Sequence, residues 1–154
     1  LVNGIEWKVA DAVMDVAHQL DAKEIISLEG VGNPSTETSK TYYLSKDAKK
    51  HALFKKLGVE PLKEGIVMGV TGAILIRAEK MPASAIFAET HTELPDSKAA
   101  AKILEVVNKL LGLGLDYKPL LEQAEKFENK LRDLLAKSKE TQDMQDKKKL
   151  SYVG

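Results

Sequence analysis

Apolar residues recur every three or four positions in four stretches of the chain, which is the spacing of helices that bury one face. The pattern predicts helices over residues 6–20, 47–57, 96–111 and about 119–138. The third helix is the most sharply bounded, because Asp96 is a favourable N-cap and Gly112 suits the position just past a helix end. By the same reasoning Ser45 and Gly58 are expected to bound the second helix.

Short apolar runs between turn residues predict strands instead. The runs lie at residues 24–29, 41–44, 66–70 and 84–88. After the third run we expect a short buried helix over residues 72–81, with a continued strand as the alternative. A helix that leads into a strand and then a glycine-rich loop is the αβ step of a parallel sheet, so the fold class is α/β.

The pattern divides the chain into an α/β domain over residues 1–138 and a polar, flexible tail over residues 139–154 with an apolar tip. The first residues enter a helical pattern almost at once, and the chain opens on Leu1. We therefore expect the domain to lack its N-terminal part.

Charge and composition narrow the function classes. The 154 residues carry 23 Lys and Arg against 23 Asp and Glu, a balance that argues against nucleic-acid binding. No apolar run approaches the roughly 20 residues that span a bilayer, so no membrane segment is expected. Cysteine is absent, which excludes disulfides and thiolate chemistry and favours a reducing, cytoplasmic location.

Loops that follow parallel strands form the usual ligand crevice of an α/β sheet, and they supply the candidate ligand site. The candidate residues are Gly30, Gly32, Asn33, Gly69, Gly72, Glu89 and His91. Neither glycine cluster matches a dinucleotide or phosphate-loop motif. His91 lies between Glu89 and Glu93, which fits a metal site, an acid–base pair or a solvated loop, and the last is favoured. We expect no metal, no cofactor and no catalytic residues.

Three segments carry a family resemblance: AKEIISLEGVG at residues 22–32, GIVMGVTGAIL at 65–75 and PDSKAAAKILEVVNKLLGL at 95–113. Over about residues 5–135 the chain resembles the proteasome assembly chaperone 2 family, in particular its archaeal members. The resemblance implies a three-layer α/β/α sandwich with a mostly parallel sheet, completed by further N-terminal strands in family domains.

The resemblance also implies a non-enzymatic chaperone or scaffold. Its partners would be further copies of itself, arranged as a ring, or a paralogue, and the α subunits of the 20S proteasome. The tail tip would supply the partner-binding residues Leu150, Tyr152, Val153 and Gly154. The family motif has tyrosine second from last, whereas Tyr152 is third from last. The alternative function is a nucleotide- or small-molecule-binding enzyme that uses the loops at the carboxyl ends of the strands.

Overall fold

A computed structural model describes residues 4–33, 40–90 and 96–151 of the chain, with the backbone alone for residue 120 and residues 139–151. These residues form five helices and four strands. The helices are α1 Glu6–Gln19, α2 Ala48–Lys56, α3 Gly69–Arg77, α4 Ser97–Leu111 and α5 Lys118–Ser151. The strands are β1 Ile25–Gly32, β2 Thr41–Ser45, β3 Glu60–Pro61 and β4 Ala83–Thr90.

The four strands form one sheet in the order β1-β4-β2-β3. β4 runs parallel to β1 and antiparallel to β2, while β2 and β3 are parallel. Two of the three pairings are therefore parallel, which confirms the predicted α/β class with a mostly parallel sheet. β1 forms one edge of the described sheet and the two-residue β3 forms the other.

Successive side chains of β4 point to opposite faces of the sheet, and each face is covered by helices. Ile86 packs with Phe54 of α2 and Val106 of α4 on one face. Ala85 and Phe87 pack with Leu75 of α3 on the other face. The expected three-layer α/β/α arrangement is thus confirmed, and it makes β4 the most deeply buried strand.

α1 belongs to the same layer as α3. Ala10 of α1 forms a buried cluster with Ala73 and Ile74 of α3, and Val13 and Ile25 pack against it. Small side chains at this contact let the two helices approach closely. α1 therefore packs beside α3 on the same face of the sheet and next to β1.

The helix boundaries follow the predicted capping residues in most places. The Asp96 side chain accepts a hydrogen bond from the Ala99 N–H at 2.9 Å, and Gly112 ends α4 in the left-handed region, at φ 63°. Gly58 also has a positive φ, of 74°, after α2. The N-cap of α2 is Asp47, however, whose carboxylate accepts from the Lys49 N–H at 2.9 Å. Ser45 instead ends β2, so that cap prediction is wrong.

The predicted strand over residues 66–70 is also wrong. Residues 65–68 are irregular and α3 begins at Gly69, where φ is +70°. The apolar residues of this run have different surroundings: Val67 is partly buried and packs against the core, whereas Ile66 and Met68 are exposed. A Cβ on Gly72 would lie 2.6 Å from the Val67 carbonyl oxygen, so the first turn of α3 packs against the preceding backbone only because glycine is there.

The last helix is longer than predicted. α5 continues past residue 138 to Ser151, so the backbone of residues 139–151 is helical. At about 1.5 Å per residue its 34 residues span about 50 Å. None of the helices in the described ranges has the length and apolar character needed to cross a membrane.

Candidate functional site

Glu89 is the only carboxylate among the described residues that is buried at the end of a strand, with 5% of its surface exposed. It is the penultimate residue of β4 and pairs in register with Val31 of β1. β1 and β4 are parallel, so their carboxyl ends meet at one edge. Glu89 and Asn33 are thereby brought together, as expected for the loops after parallel strands.

Hydrogen bonds from three of the described residues hold the Glu89 carboxylate. Oε1 accepts from the Tyr42 hydroxyl at 2.8 Å and from Nδ2 of Asn33 at 3.1 Å. Oε2 accepts from the Lys40 backbone N–H at 3.1 Å. The Glu89 N–H donates to the Lys40 carbonyl at 2.9 Å, which extends the β2–β4 pairing by one residue. The carboxylate therefore ties together the ends of β1, β2 and β4.

This environment keeps Glu89 ionised. Burial alone raises the pKa of the Glu89 carboxyl, but the hydrogen bonds from Tyr42, Asn33 and the Lys40 backbone stabilise the anion. Their combined effect places the pKa below its ordinary value. The hydrogen bond to Glu89 also raises the pKa of the Tyr42 hydroxyl, with burial adding to the effect. Tyr42 thus stays a neutral donor to a charged acceptor.

The glycines of the predicted ligand site lie in two places. Gly30 and Gly32 are in the last half of β1, and a Cβ on Gly30 would come 2.9 Å from Cγ2 of Thr90. Gly69 and Gly72 lie in the first half of α3, where the Thr71 hydroxyl forms a short hydrogen bond with the Ser27 hydroxyl of β1. Gly30 and Gly72 therefore allow close packing of the backbone, and Gly69 supplies the positive φ at the start of α3, whereas a Cβ on Gly32 would meet nothing within 4 Å.

His91 lies outside the described residues, so the reading of the Glu-His-Glu cluster stays a prediction. Within the described ranges no group of three or more histidine and acidic side chains is placed to hold a metal ion. His51, from another element, bonds through Nε2 to the Ser45 carbonyl oxygen at 3.2 Å.

Tyr42 and Lys40 are the members of this site that sequence reasoning missed. Lys40 lies just before β2 and Tyr42 lies within it. β2 pairs with β4 across a long separation in sequence, so the chain order does not reveal the pairing. The one signal available was the paired aromatic residues of the TYYL run, because a tyrosine that points into a sheet layer needs an acceptor for its hydroxyl.

The second predicted site is the C-terminal tip. The backbone of Leu150 is helical, and Tyr152, Val153 and Gly154 lie outside the described residues. α5 is anchored to α4 at Glu128, which accepts from the Ser97 N–H at 2.9 Å and the Ser97 hydroxyl at 2.7 Å. The hydrogen bonds from Ser97 lower the pKa of the Glu128 carboxyl. Nη2 of Arg132 also donates to Oε1 of Glu128 at 2.8 Å.

Next to this anchor and beyond it, α5 presents apolar side chains to solvent. Phe127 is 63% exposed and Leu134 57%, with Leu135 close behind at 42%. Since residue 128 lies against the first residue of α4, the second half of α5 extends past the N-terminal end of α4. The backbone of residues 127–151, called here the arm, therefore continues beyond the N-terminal end of α4.

Comparison with known proteins gives consistent results. The PAC2 family model matches residues 3–135. An uncharacterized protein of Methanocaldococcus jannaschii is 31% identical over 137 residues, which cover 86% of this chain and 54% of that protein. The chain thus spans about half the length of this curated relative.

Solved structures of similar fold include archaeal proteins. Pyrococcus furiosus PbaA, described as an archaeal homologue of proteasome-assembly chaperone, has 28% identity and a TM-score of 0.77, over 96% of this chain and 63% of that one. PbaB of the same organism, described as an archaeal proteasome activator, has 24% identity and a TM-score of 0.70, over 84% and 57%. The second likeness establishes the fold alone.

The family model covers most of the chain, and its match includes the strands that meet at Glu89 and the first half of α5. This chain belongs to the PAC2 family.

Proposed function

We propose that this chain is a non-enzymatic chaperone or scaffold of the proteasome-assembly type, which acts in the cytoplasm by binding protein subunits. The observation that carries the proposal is the arm, residues 127–151 of α5, which leaves the domain with exposed apolar side chains at helical spacing. Unpartnered apolar residues on a projecting helix are typical of protein interaction surfaces.

The arm is proposed to direct the tip. Glu128 fixes α5 to the start of α4 through two hydrogen bonds, so the rest of the helix begins from a fixed point on the domain. A segment that is already helical before binding has a lower ordering cost than a loose tether. Leu150, Tyr152, Val153 and Gly154 are proposed to contact 20S proteasome α subunits, or a paralogue, at the end of this arm.

The described contacts give Glu89 a structural role. Its carboxylate accepts hydrogen bonds from Tyr42, Asn33 and the Lys40 backbone and so ties β1, β2 and β4 together. Thermal-shift measurements with nucleotides and divalent metal ions test the alternative, a small-molecule enzyme. A reproducible stabilisation by any of them would favour that alternative.

Size-exclusion chromatography with light scattering tests the proposal directly. The chain is expected to self-associate and, when mixed with 20S α subunits, to move with them. Deletion of residues 150–154 should weaken α-subunit binding about tenfold or more and leave self-association intact. If the deletion instead abolishes binding to a paralogue, the tip serves that partner. A chain that is strictly monomeric and binds none of these proteins would refute the proposal.

A further inference from the structure

A cavity of about 610 Å³ lies between α2 and the β3 edge of the sheet. The residues that line it are Tyr43, His51, Ala52, Lys55, Gly58, Val59, Glu60 and Pro61. Tyr43 and Val59 are buried and form its floor, whereas Ala52, Gly58 and Pro61 are exposed at its mouth. The volume is within the range of about 300–1,000 Å³ that is common for ligand pockets. The cavity therefore has room for an apolar side chain of a binding partner.

The floor of the cavity is held in place by aromatic contacts. The ring of Tyr43 stacks on Phe54 with centroids 4.5 Å apart, and the ring of His51 meets Tyr43 edge-on at 5.5 Å. Nε2 of His51 lies 3.2 Å from the Ser45 carbonyl oxygen, and it donates there because a carbonyl only accepts. These contacts fix the floor before anything binds, which lowers the ordering cost of binding.

Three exposed lysines of α2 surround the mouth of the cavity. At about 100° per residue, Lys55 lies about 60° around the helix from Ala52 on one side. Lys56 and Lys49 lie about 40° and 60° from Ala52 on the other side. Ala52 lines the cavity, so these residues, called here the lysine rim, border its opening.

The lysine rim has no counter-charge in the described part of the chain. None of its three ammonium groups has an ion-pair partner there, whereas Lys50 of the same helix is paired with Glu24. The whole chain has equal numbers of basic and acidic residues, so the excess of positive charge is local to this surface. Charges of one sign around a cavity attract a ligand of the opposite sign.

Glu60 lines the cavity but does not neutralise the lysine rim. It pairs in register with Tyr42, so the two side chains point to the same face of the sheet. Tyr42 packs against the cluster of Leu75 and Phe87 on the α3 face. The carboxylate of Glu60 is therefore on the face opposite to α2, and it does not repel an acidic ligand in the cavity.

The backbone of β3 offers little to a ligand that binds by strand pairing. The Leu62 N–H donates to the Tyr43 carbonyl at 2.8 Å, so β3 faces β2 through the residues on either side of Pro61. Pro61 directs its backbone away from β2 and has no N–H to donate. Recognition at this cavity therefore depends on side chains.

We propose that this cavity and the lysine rim bind an acidic segment of a partner protein, one that carries an aromatic side chain between carboxylates. The aromatic side chain would fill the apolar floor, as buried anchors do in protein interfaces. The neighbouring carboxylates would accept hydrogen bonds from Lys49, Lys55 and Lys56. A nucleic acid would meet the lysines alone and leave the floor unfilled. The inference does not depend on the arm or on proteasome binding.

Fluorescence anisotropy with three labelled peptides tests this site on the unmodified chain. The probe is the peptide Gly-Asp-Glu-Phe-Glu-Asp-Gly. One control has serine in place of phenylalanine and keeps the charge, and the other has asparagine and glutamine in place of the acids and keeps the ring. We expect the probe to bind at least about tenfold more tightly than either control. A probe that does not bind, or that binds no better than one of the controls, would overturn the proposal.

Two charge reversals locate the binding on the protein. Lys55→Glu should weaken probe binding about tenfold or more, because it places a like charge at the cavity mouth. Lys126→Glu changes the net charge equally at an exposed position of α5 and should leave binding unchanged. Nuclear magnetic resonance of the parent chain should show shift changes at the Gly58 and Val59 amides when the probe is added.

Three outcomes would refute the assignment. The first is equal weakening by the two charge reversals, which would show a response to net charge alone. The second is a set of shift changes confined to residues away from the cavity. The third is a single-stranded oligonucleotide of the same charge that binds as tightly as the probe, which would show a general site for polyanions.

Discussion

The two edges of the sheet are built in opposite ways. β3 is only two residues long and includes Pro61, which lacks an N–H. It lies beside the buried side chains of Val59 and of Phe54 in α2. β1 is eight residues long, contains no proline or lysine, and exposes Leu28 and Val31 along its outer half. Natural sheets commonly shorten, charge or cover their edges. Within the described sheet, β3 is thus a closed edge, short and packed against the core, and β1 is an open edge, long and with exposed apolar side chains.

The largest effect is expected at the closed edge. Phe54 is fully buried, stacks on Tyr43 with ring centroids 4.5 Å apart, and its carbonyl oxygen accepts the Val59 N–H. Phe54→Ala should lower the free energy of unfolding by about 3–5 kcal/mol, because it removes a large buried ring and leaves a cavity. Urea denaturation followed by circular dichroism measures the change.

Leu53→Ala is the matched control for that substitution, since Leu53 is the preceding residue of α2 and is 37% exposed. It should cost no more than about 1 kcal/mol. If the two variants lose equal stability, the ring of Phe54 is not what closes the β3 edge, and the contrast between the edges fails.

A second effect, of intermediate size, is expected where β1, β2 and β4 are tied together by Glu89. Tyr42→Phe removes a hydrogen bond to a buried carboxylate and should cost about 1.5–3 kcal/mol at neutral pH. Because the pKa of Glu89 is lower in the folded chain than in the unfolded one, the ionised Glu89 contributes fully to the free energy of unfolding at pH values above its unfolded pKa. That contribution is lost as the pH falls through the folded pKa.

In Tyr42→Phe the pKa of Glu89 should rise, so acid unfolding should begin at a higher pH than in the parent chain. Denaturation curves at neutral pH and below about pH 4 test the sign. Tyr117→Phe serves as control, because the Tyr117 hydroxyl has no hydrogen bond among the described residues. A Tyr42→Phe variant with the parent's pH profile would show that Glu89 is not stabilised as an anion by this hydroxyl.

The parts of this fold that sequence patterns predicted are the ones fixed by neighbouring residues. α4 begins after Asp96 and ends at Gly112 because capping and the left-handed turn are decided within a few positions. The strand predicted over residues 66–70 was wrong because that prediction also used only a local pattern. The apolar run is typical of a buried strand, but the positive φ at Gly69 and the packing of Gly72 start a helix there.

The candidate sites depend on contacts that no local pattern records. Glu89 and Asn33 were expected near each other because loops after parallel strands share an edge. Tyr42 and Lys40 were missed because β2 lies between β4 and β3 and pairs antiparallel with β4, and the chain order does not reveal that pairing. The position of β1 at the edge of the described sheet could not be predicted either, because it depends on the order of all the strands.

The smallest effect on stability is expected at the open edge. Leu28 and Ile26 lie on the same face of β1, two residues apart, but Ile26 packs against the core cluster around Ile86 whereas Leu28 is 48% exposed. Leu28→Ala should change the free energy of unfolding by about 0.5 kcal/mol or less, and Ile26→Ala should cost about 2 kcal/mol. Parallel urea titrations compare the two. If Leu28→Ala is as costly as Ile26→Ala, the second half of β1 also belongs to the core, and β1 is not an open edge. The expected difference would place the boundary of the core between these two residues, because the Ile26 side chain loses its contacts around Ile86 whereas the exposed Leu28 side chain has little packing to lose.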